Sequence, residues 1–201
     1  MALADTIKGL LLPAGLIAAA EIAGRLIDFH SDSLAIPSAI VMAFFEAMGD
    51  GSLLAATRDT LAGAFAGLAI GGSIGLSIGV LLGVLPVADR LMEVTIESIR
   101  PIPSIAVLPI ALIALGFGYR LEIAIVAFAC TWPLLILTRT AVRSIKPRLI
   151  EVSRALGLTP QARIAKIVLP AALPRIFVAF RLAAGVALIV AGIAVTALAL
   201  F

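Results

Sequence analysis

Residues able to do chemistry are scarce in this sequence. It has one cysteine, Cys130, and one histidine, His30. One of each cannot build a metal site of the usual His/Cys ligand spacing, nor a disulfide within the chain. A nucleophile and base pair could use only His30, which lies in a polar stretch far from any nucleophile motif. The phosphate-cradling pattern G-x-x-x-x-G-K-[ST] is missing, so nucleotide chemistry would belong to another chain. What remains is charge. Nine Lys/Arg and a single acid, Glu151, fall between Arg139 and Arg181, a local net charge of +8. The rest of the chain holds six bases and eleven acids. The chemistry open to such a segment is recognition, not bond making. No enzymatic activity, cofactor or metal is expected.

Inside that segment the residue order implies helix, glycine turn, helix. Pro147 suits a first helical turn and Gly157 a helix end, the usual asymmetry of the two residues. Leu149, Val152 and Leu156 fall on one helical face. Thr159-Pro160 reads as an N-cap followed by proline at the first helical position, and Ile164, Ile167 and Val168 share a face of the helix that follows. Pro170 and Pro174 are expected to break what comes next. Three readings compete: a solvated basic loop that only sets topology, a DNA-binding helix-turn-helix, and an element docking into a groove on a partner. A recognition helix held between membrane spans could hardly reach a major groove, so no nucleic-acid partner is expected.

The elements that must position this segment follow from composition. The chain has 201 residues, 62% hydrophobic and 13% charged, against about 25% charged in a soluble domain. This points to an all-α polytopic membrane protein with the lipid bilayer as solvent. Spans are expected near 9–27, 60–88, 101–119, 121–138 and 182–201, each close to the length that crosses about 30 Å of hydrocarbon. Residues 139–181 then form a cytoplasmic loop, where basic residues belong. The first span reads as a retained helix, the alternative being a signal peptide ending near Ala18-Ala19-Ala20. Residues 28–50 carry acids and no base, and Ala39–Met48 reads as an interfacial helix. No separate soluble domain interrupts residues 1–201.

Gly63, Gly67, Gly71, Gly75, Gly79 and Gly83 recur at every fourth position, the spacing that lets helix backbones approach in lipid. Such a stripe drifts by about 40° per step, which predicts a central helix with several neighbours. Glu21 and Arg25 can pair at i, i+4. Arg120 and Glu122 read as interface anchors of an external turn. Pro133, in Cys130-Thr131-Trp132-Pro133, predicts a kink. Pro101, Pro103 and Pro109 would free backbone groups towards a pathway.

The stretch Glu151-Val152-Ser153, then Gly157, then Ile167-Val168-Leu169-Pro170 resembles the EAA loop of ABC importer permeases. The family pattern is E-A-A, three residues, G, nine residues, I-x-L-P; here Val-Ser replaces Ala-Ala and the spacing holds throughout. Arg100-Pro101-Ile102-Pro103-Ser104-Ile105-Ala106-Val107-Leu108-Pro109, with Gly116-Phe117-Gly118 after it, is similar to a stretch of the nitrate/sulfonate/taurine/bicarbonate importer branch. Together the resemblance runs from about residue 38 to 185. It implies a type I ABC importer transmembrane fold in a bacterial inner membrane, working as a homodimer of permease subunits. An ABC ATPase subunit on the cytoplasmic side and an external substrate-binding protein are the implied partners. It also implies that Glu151, Arg154, Ala155, Leu156, Gly157 and Leu158 form the coupling contact with the ATPase. The implied cargo is a small anion such as a sulfonate or nitrate, with no substrate-path residue assigned. Two departures stand out. Val190-Ala191-Gly192-Ile193-Ala194 lacks the acid usual in this branch, and members continue past this region with a further span. The sequence thus reads as C-terminally truncated or diverged, and the alternative function is a membrane interaction protein, or inactive permease remnant, that docks an ATPase without transporting.

Overall fold

The computed structural model describes residues 2–26 and 35–199. His30, Asp28, Asp32 and the terminal Phe201 lie outside the described residues. Everything described is helix or short connection. By internal contacts the chain divides into two compact units, residues 1–57 and 58–201.

The first unit holds α1 (Ala2–Leu26) and α2 (Pro37–Gly49). Glu21 pairs with Arg25 one turn later at 2.6 Å. Its carboxylate also accepts the backbone N–H of Ser38 at 2.9 Å and the Ser38 hydroxyl at 2.7 Å. Ser38 is the second residue of α2, so Glu21 satisfies a donor that helix geometry leaves free and places negative charge where the helix dipole favours it. Pro37 starts α2 at a position where its missing N–H loses no bond. No residue of α2 is buried, and Phe44 and Phe45 are both exposed, as befits a helix lying in an apolar medium.

The second unit takes in most of α3 (Ser52–Val84), then α4 (Pro86–Ile99), α5 (Leu108–Leu115), α6 (Tyr119–Arg143), α7 (Pro147–Ala155), α8 (Pro160–Arg163) and α9 (Leu169–Ala199). A 3-10 turn, Ser104–Val107, precedes α5, and a π turn, Ile164–Val168, joins α8 to α9. Among the described residues, three helical runs are long and apolar enough to cross a membrane: Ser52–Val84, Tyr119–Arg143 and Pro160–Thr196.

The glycine stripe of α3 meets one helix. A Cβ at Gly67 would lie 2.5 Å from the Val126 Cβ, at Gly79 2.7 Å from the Leu135 carbonyl oxygen, and at Gly83 2.6 Å from the Val142 Cβ. At Gly71 it would run into the Ala127 carbonyl, and at Gly75 into that of Thr131. At Gly63 it would strike the Glu122 carboxylate. The stripe itself therefore meets α6 throughout, while other faces of α3 share cores with α4 and α9. The α6 positions that meet the stripe also advance by about four residues per step, so the two surfaces wind together. Thr131 Oγ1 bridges them, donating to the Gly71 carbonyl at 3.2 Å. On an adjoining face α6 meets alanines of α9. Ala179, Ala183, Ala187 and Ala191 are fully buried in one core with Val126, Cys130 and Leu134. The Cys130 thiol points to the Ala183 carbonyl at 3.4 Å.

Four local expectations change. Residues 101–119 do not form one continuous helix. Prolines 101, 103 and 109 remove backbone donors, and the segment becomes the 3-10 turn plus the eight residues of α5. That is about 20 Å of rise, short of the hydrocarbon thickness. Gly116, at φ +70°, ends it. The break expected at Pro170 and Pro174 is absent: Pro170 sits in the first turn of α9 just after the wider π turn, and packing on α6 carries the helix through Pro174. The basic stretch 139–181 is consequently mostly helical, made of the end of α6, α7, α8 and the start of α9. Finally, Glu122 is no interface anchor. It is buried against Gly63, on the stripe of α6 that faces α3.

Gly71→Ala is expected to lower the stability of the detergent-solubilised chain by about 1–3 kcal/mol, because the methyl meets backbone that cannot rotate away. Gly185→Ala, with nothing within 4 Å of the added methyl, is expected to be neutral or slightly stabilising through helix propensity. Thermal unfolding followed by helicity checks both, and equal melting of the two variants would refute the close-approach argument.

Candidate functional site

The candidate site is built on α7 and the turn after it. Pro147 is the first residue of α7. The helix ends with Gly157 at φ +66°, where Leu158 N–H bonds the Ser153 carbonyl at 3.1 Å and Gly157 N–H bonds that of Arg154 at 2.9 Å. This is the Schellman pairing, which needs a left-handed residue after the last helical one. Thr159 then caps α8, its hydroxyl accepting Ala162 N–H at 3.3 Å, with Pro160 at the first helical position.

α7 presents two different faces. Ser153 is fully buried and donates to the Ile150 carbonyl at 2.6 Å. Ile150 packs on the core formed by Ala141, Val142, Val168, Ala172 and Ile176. On the opposite side Leu149, Val152 and Leu156 are exposed, Leu156 by 67%. Glu151, Arg154, Ala155 and Gly157 are exposed as well, and Leu158 is half-buried. Nothing lies within 4 Å of a side chain added at Gly157, so the turn projects clear of the body. On an ideal helix Ile150 and Arg154 point about 150° away from the Leu149/Val152/Leu156 stripe. They line a cavity of about 380 Å³ together with Arg143, Arg163, Ile164 and Val168. A second cavity, about 560 Å³, opens beside the stripe itself and is walled by Lys146, Arg148 and Arg175.

A buried charge cluster holds the base of this site. Asp89, on α4, is almost completely buried and pairs with both Arg139 and Arg143 on the last turns of α6. Arg139 is itself largely buried and lies 3.8 Å from Glu93. Asp89 was not among the residues singled out by sequence pattern. It sits beside Arg90 at the edge of an apolar run, and partners fifty residues away leave no local signal. Among the described residues no group of three or more His, Cys, Asp or Glu side chains is placed to hold a metal ion.

Asp89→Asn is expected to destabilise the chain by about 3 kcal/mol, because the buried Arg139 loses its counter-charge. Combining it with Arg139→Gln should recover part of the loss, since the two residues share one interaction. Chemical unfolding of the single and double variants measures the coupling; strictly additive losses would contradict the pairing.

Comparison with known proteins places this geometry. Residues 71–200 match the family described as binding-protein-dependent transport system inner membrane component. The putative aliphatic sulfonates transport permease protein SsuC of Bacillus subtilis (strain 168) is 32% identical over 180 residues, covering 90% of this chain and 65% of that protein. The protein of the same name from Escherichia coli (strain K12) is 32% identical over 174 residues, 87% of this chain and 66% of that one. The bicarbonate transport system permease protein CmpB of Synechocystis sp. (strain ATCC 27184 / PCC 6803 / Kazusa) is 35% identical over 102 residues, 51% of this chain and 36% of its own length. The chain thus spans just under two thirds of the length of the two sulfonate relatives. Among solved structures, an inward-facing form of the MetNI methionine ABC transporter superposes with a TM-score of 0.62 at 28% identity, covering 69% of this chain and 70% of that one. With this helical order and a match over residues 71–200, the chain belongs to the inner-membrane permease family of binding-protein-dependent ABC importers.

Proposed function

We propose that this chain is the permease subunit of an ABC importer that carries a small organic or inorganic anion, sulfonate foremost, and couples to ATP hydrolysis on a separate subunit. The observation that carries the reading is the α7 turn. It combines the Glu151/Gly157/Ile167/Leu169/Pro170 spacing with an exposed apolar stripe and an unobstructed glycine turn. An exposed stripe of Leu149, Val152 and Leu156 beside a +8 segment gains by docking into a groove on a soluble partner. A cytoplasmic ATPase is the partner that the family supplies. In this reading Leu156 and Leu158 are the apolar anchors, while Glu151 and Arg154 supply charge at the edges. Ala155 and Gly157 let the two backbones come close. Two copies of the permease would line the path, an external binding protein would deliver the anion, and residues 139–181 would lie on the cytoplasmic side. The sulfonate and bicarbonate relatives support an anionic cargo.

Gly157→Asp separates docking from folding. Asp tolerates the left-handed backbone better than most residues, and its side chain enters open space, so helicity should be unchanged. Capture of the ATPase subunit by the tagged permease should fall at least tenfold, the scale expected when about 1.4 kcal/mol or more of contact is lost. Equal capture by wild type and variant would remove the docking role. ATP-driven anion accumulation in vesicles, compared with and without the ATPase, decides between transport and docking alone.

A further inference from the structure

The proline-rich stretch 100–104, which the coupling site does not use, forms one wall of a separate cavity of about 340 Å³. The opposite walls are α6 at Phe128, Trp132 and Ile136 and α9 at Leu182 and Val186. Three polar side chains line it, and all three can donate hydrogen bonds: the Arg100 guanidinium, the Ser104 hydroxyl and the Trp132 indole N–H. Among the described residues, no carboxylate lines it. The indole N–H is buried and has no hydrogen-bond partner among the described residues. A buried tryptophan N–H normally finds an acceptor, and in a membrane-spanning helix an unmet donor is especially unfavourable. Arg100 is half-exposed, and its carboxylate neighbour, Glu97, stands off at 3.8 Å. The rest of the lining is apolar.

We propose that this cavity is a binding site for an alkylsulfonate. The sulfonate oxygens accept from Arg100, Ser104 and Trp132, and the alkyl group lies against Ile136, Leu182 and Val186. The volume falls in the range of small-molecule sites, which are mostly apolar with a few placed polar groups. Two donors without acceptor capacity, one of them cationic, together with a hydroxyl able to donate, favour an anion. The apolar wall selects one with a hydrocarbon tail, which discriminates against bicarbonate and nitrate. The proposal rests on the anion-import reading above and narrows it to one substrate class and one set of residues.

Trp132 is the only tryptophan in the chain, so its emission reports on this cavity alone. The full chain in nanodiscs is titrated with 1-propanesulfonate, bicarbonate and propanol. A saturable change in emission with propanesulfonate, and none with the other two, is expected. Arg100→Gln should weaken the apparent affinity about tenfold, as loss of a charge-assisted hydrogen bond does. Val186→Phe, which fills the apolar wall, should weaken it at least as much. Arg120→Gln, at the far end of α6, should leave it unchanged. Helicity of each variant confirms folding, and Arg100 is exposed enough that its variant should fold. An equal response to bicarbonate, a response to propanol alone, absence of saturation, or unchanged affinity in Arg100→Gln would each overturn the proposal. The titration needs no ATPase, so loss of ATPase capture with sulfonate binding intact would fail the coupling reading and leave this site standing.

Discussion

The contact between α3 and α6 is the constraint on which the rest of the second unit depends. Six glycines on α3 lie so close to α6 that at three of them an added methyl would meet α6 backbone carbonyls, and at the others its side chains. In water this stripe would be a liability, since each glycine in a helix interior costs up to about 1 kcal/mol relative to alanine. In lipid the hydrophobic effect gives no preference for helix over lipid tail, and close packing with weak interhelical hydrogen bonds decides association. The Thr131 to Gly71 bond is one of these, available only because no Cβ intervenes. With α3 packed on one face of α6 and the alanines of α9 sharing the core beside it, α6 has little freedom to rotate. Every functional residue assigned above is therefore located relative to a rigid reference helix.

The lower end of α6 is held by a different force. Asp89, itself buried, binds the largely buried Arg139 and the half-exposed Arg143 there, and a buried charge left unpaired is expensive. The pair ties α4 to the last turns of α6, and four residues after Arg143 the chain enters α7. Ser153 and Ile150 seat α7 on the core of α6 and α9, so its exposed stripe has a defined orientation. Van der Waals contact sets the helix axis, and charge fixes the helix end. The proposed docking surface inherits its position from both.

Legibility in the sequence followed the range of the interaction. Thr159-Pro160 and the Pro147 to Gly157 interval were readable because caps and turns are decided within a few residues, and the glycine spacing was visible for the same reason. Which helix the glycines meet was not readable, because an ideal-helix drift ignores a partner surface that drifts in step. Pro170 and Pro174 misled because the π turn and the packing of α9 outweigh the local proline rule. Residues 101–119 looked like a span on hydropathy, yet three prolines deny it a continuous helical ladder. Glu122 and Asp89 show the limit most directly. Both are charged residues near helix ends, the usual place for solvated side chains, and only the tertiary arrangement turns them inward.

The same helix connects the two proposed sites. Trp132 lies seven residues before Arg139, about 10 Å along α6, and Pro133 follows it at once. Proline has no N–H, so the Ala129 carbonyl, which belongs to the same cavity lining, lacks its usual intrahelical partner. A force applied to α7 by a closing partner reaches the end of α6 through their shared core, with Asp89 anchoring that end to α4. Above that anchor, the glycine and alanine contacts hold the upper part of α6 in place. Contacts with α3 continue on both sides of Pro133, from Glu122 to Val142, so α6 is held along its length and carries the wall formed by Trp132 and Ile136 with it. In the proposed reading, a displacement at α7 would therefore reach that wall through the helix as a whole, which would link a docking event at one end of α6 to the proposed cavity at its middle.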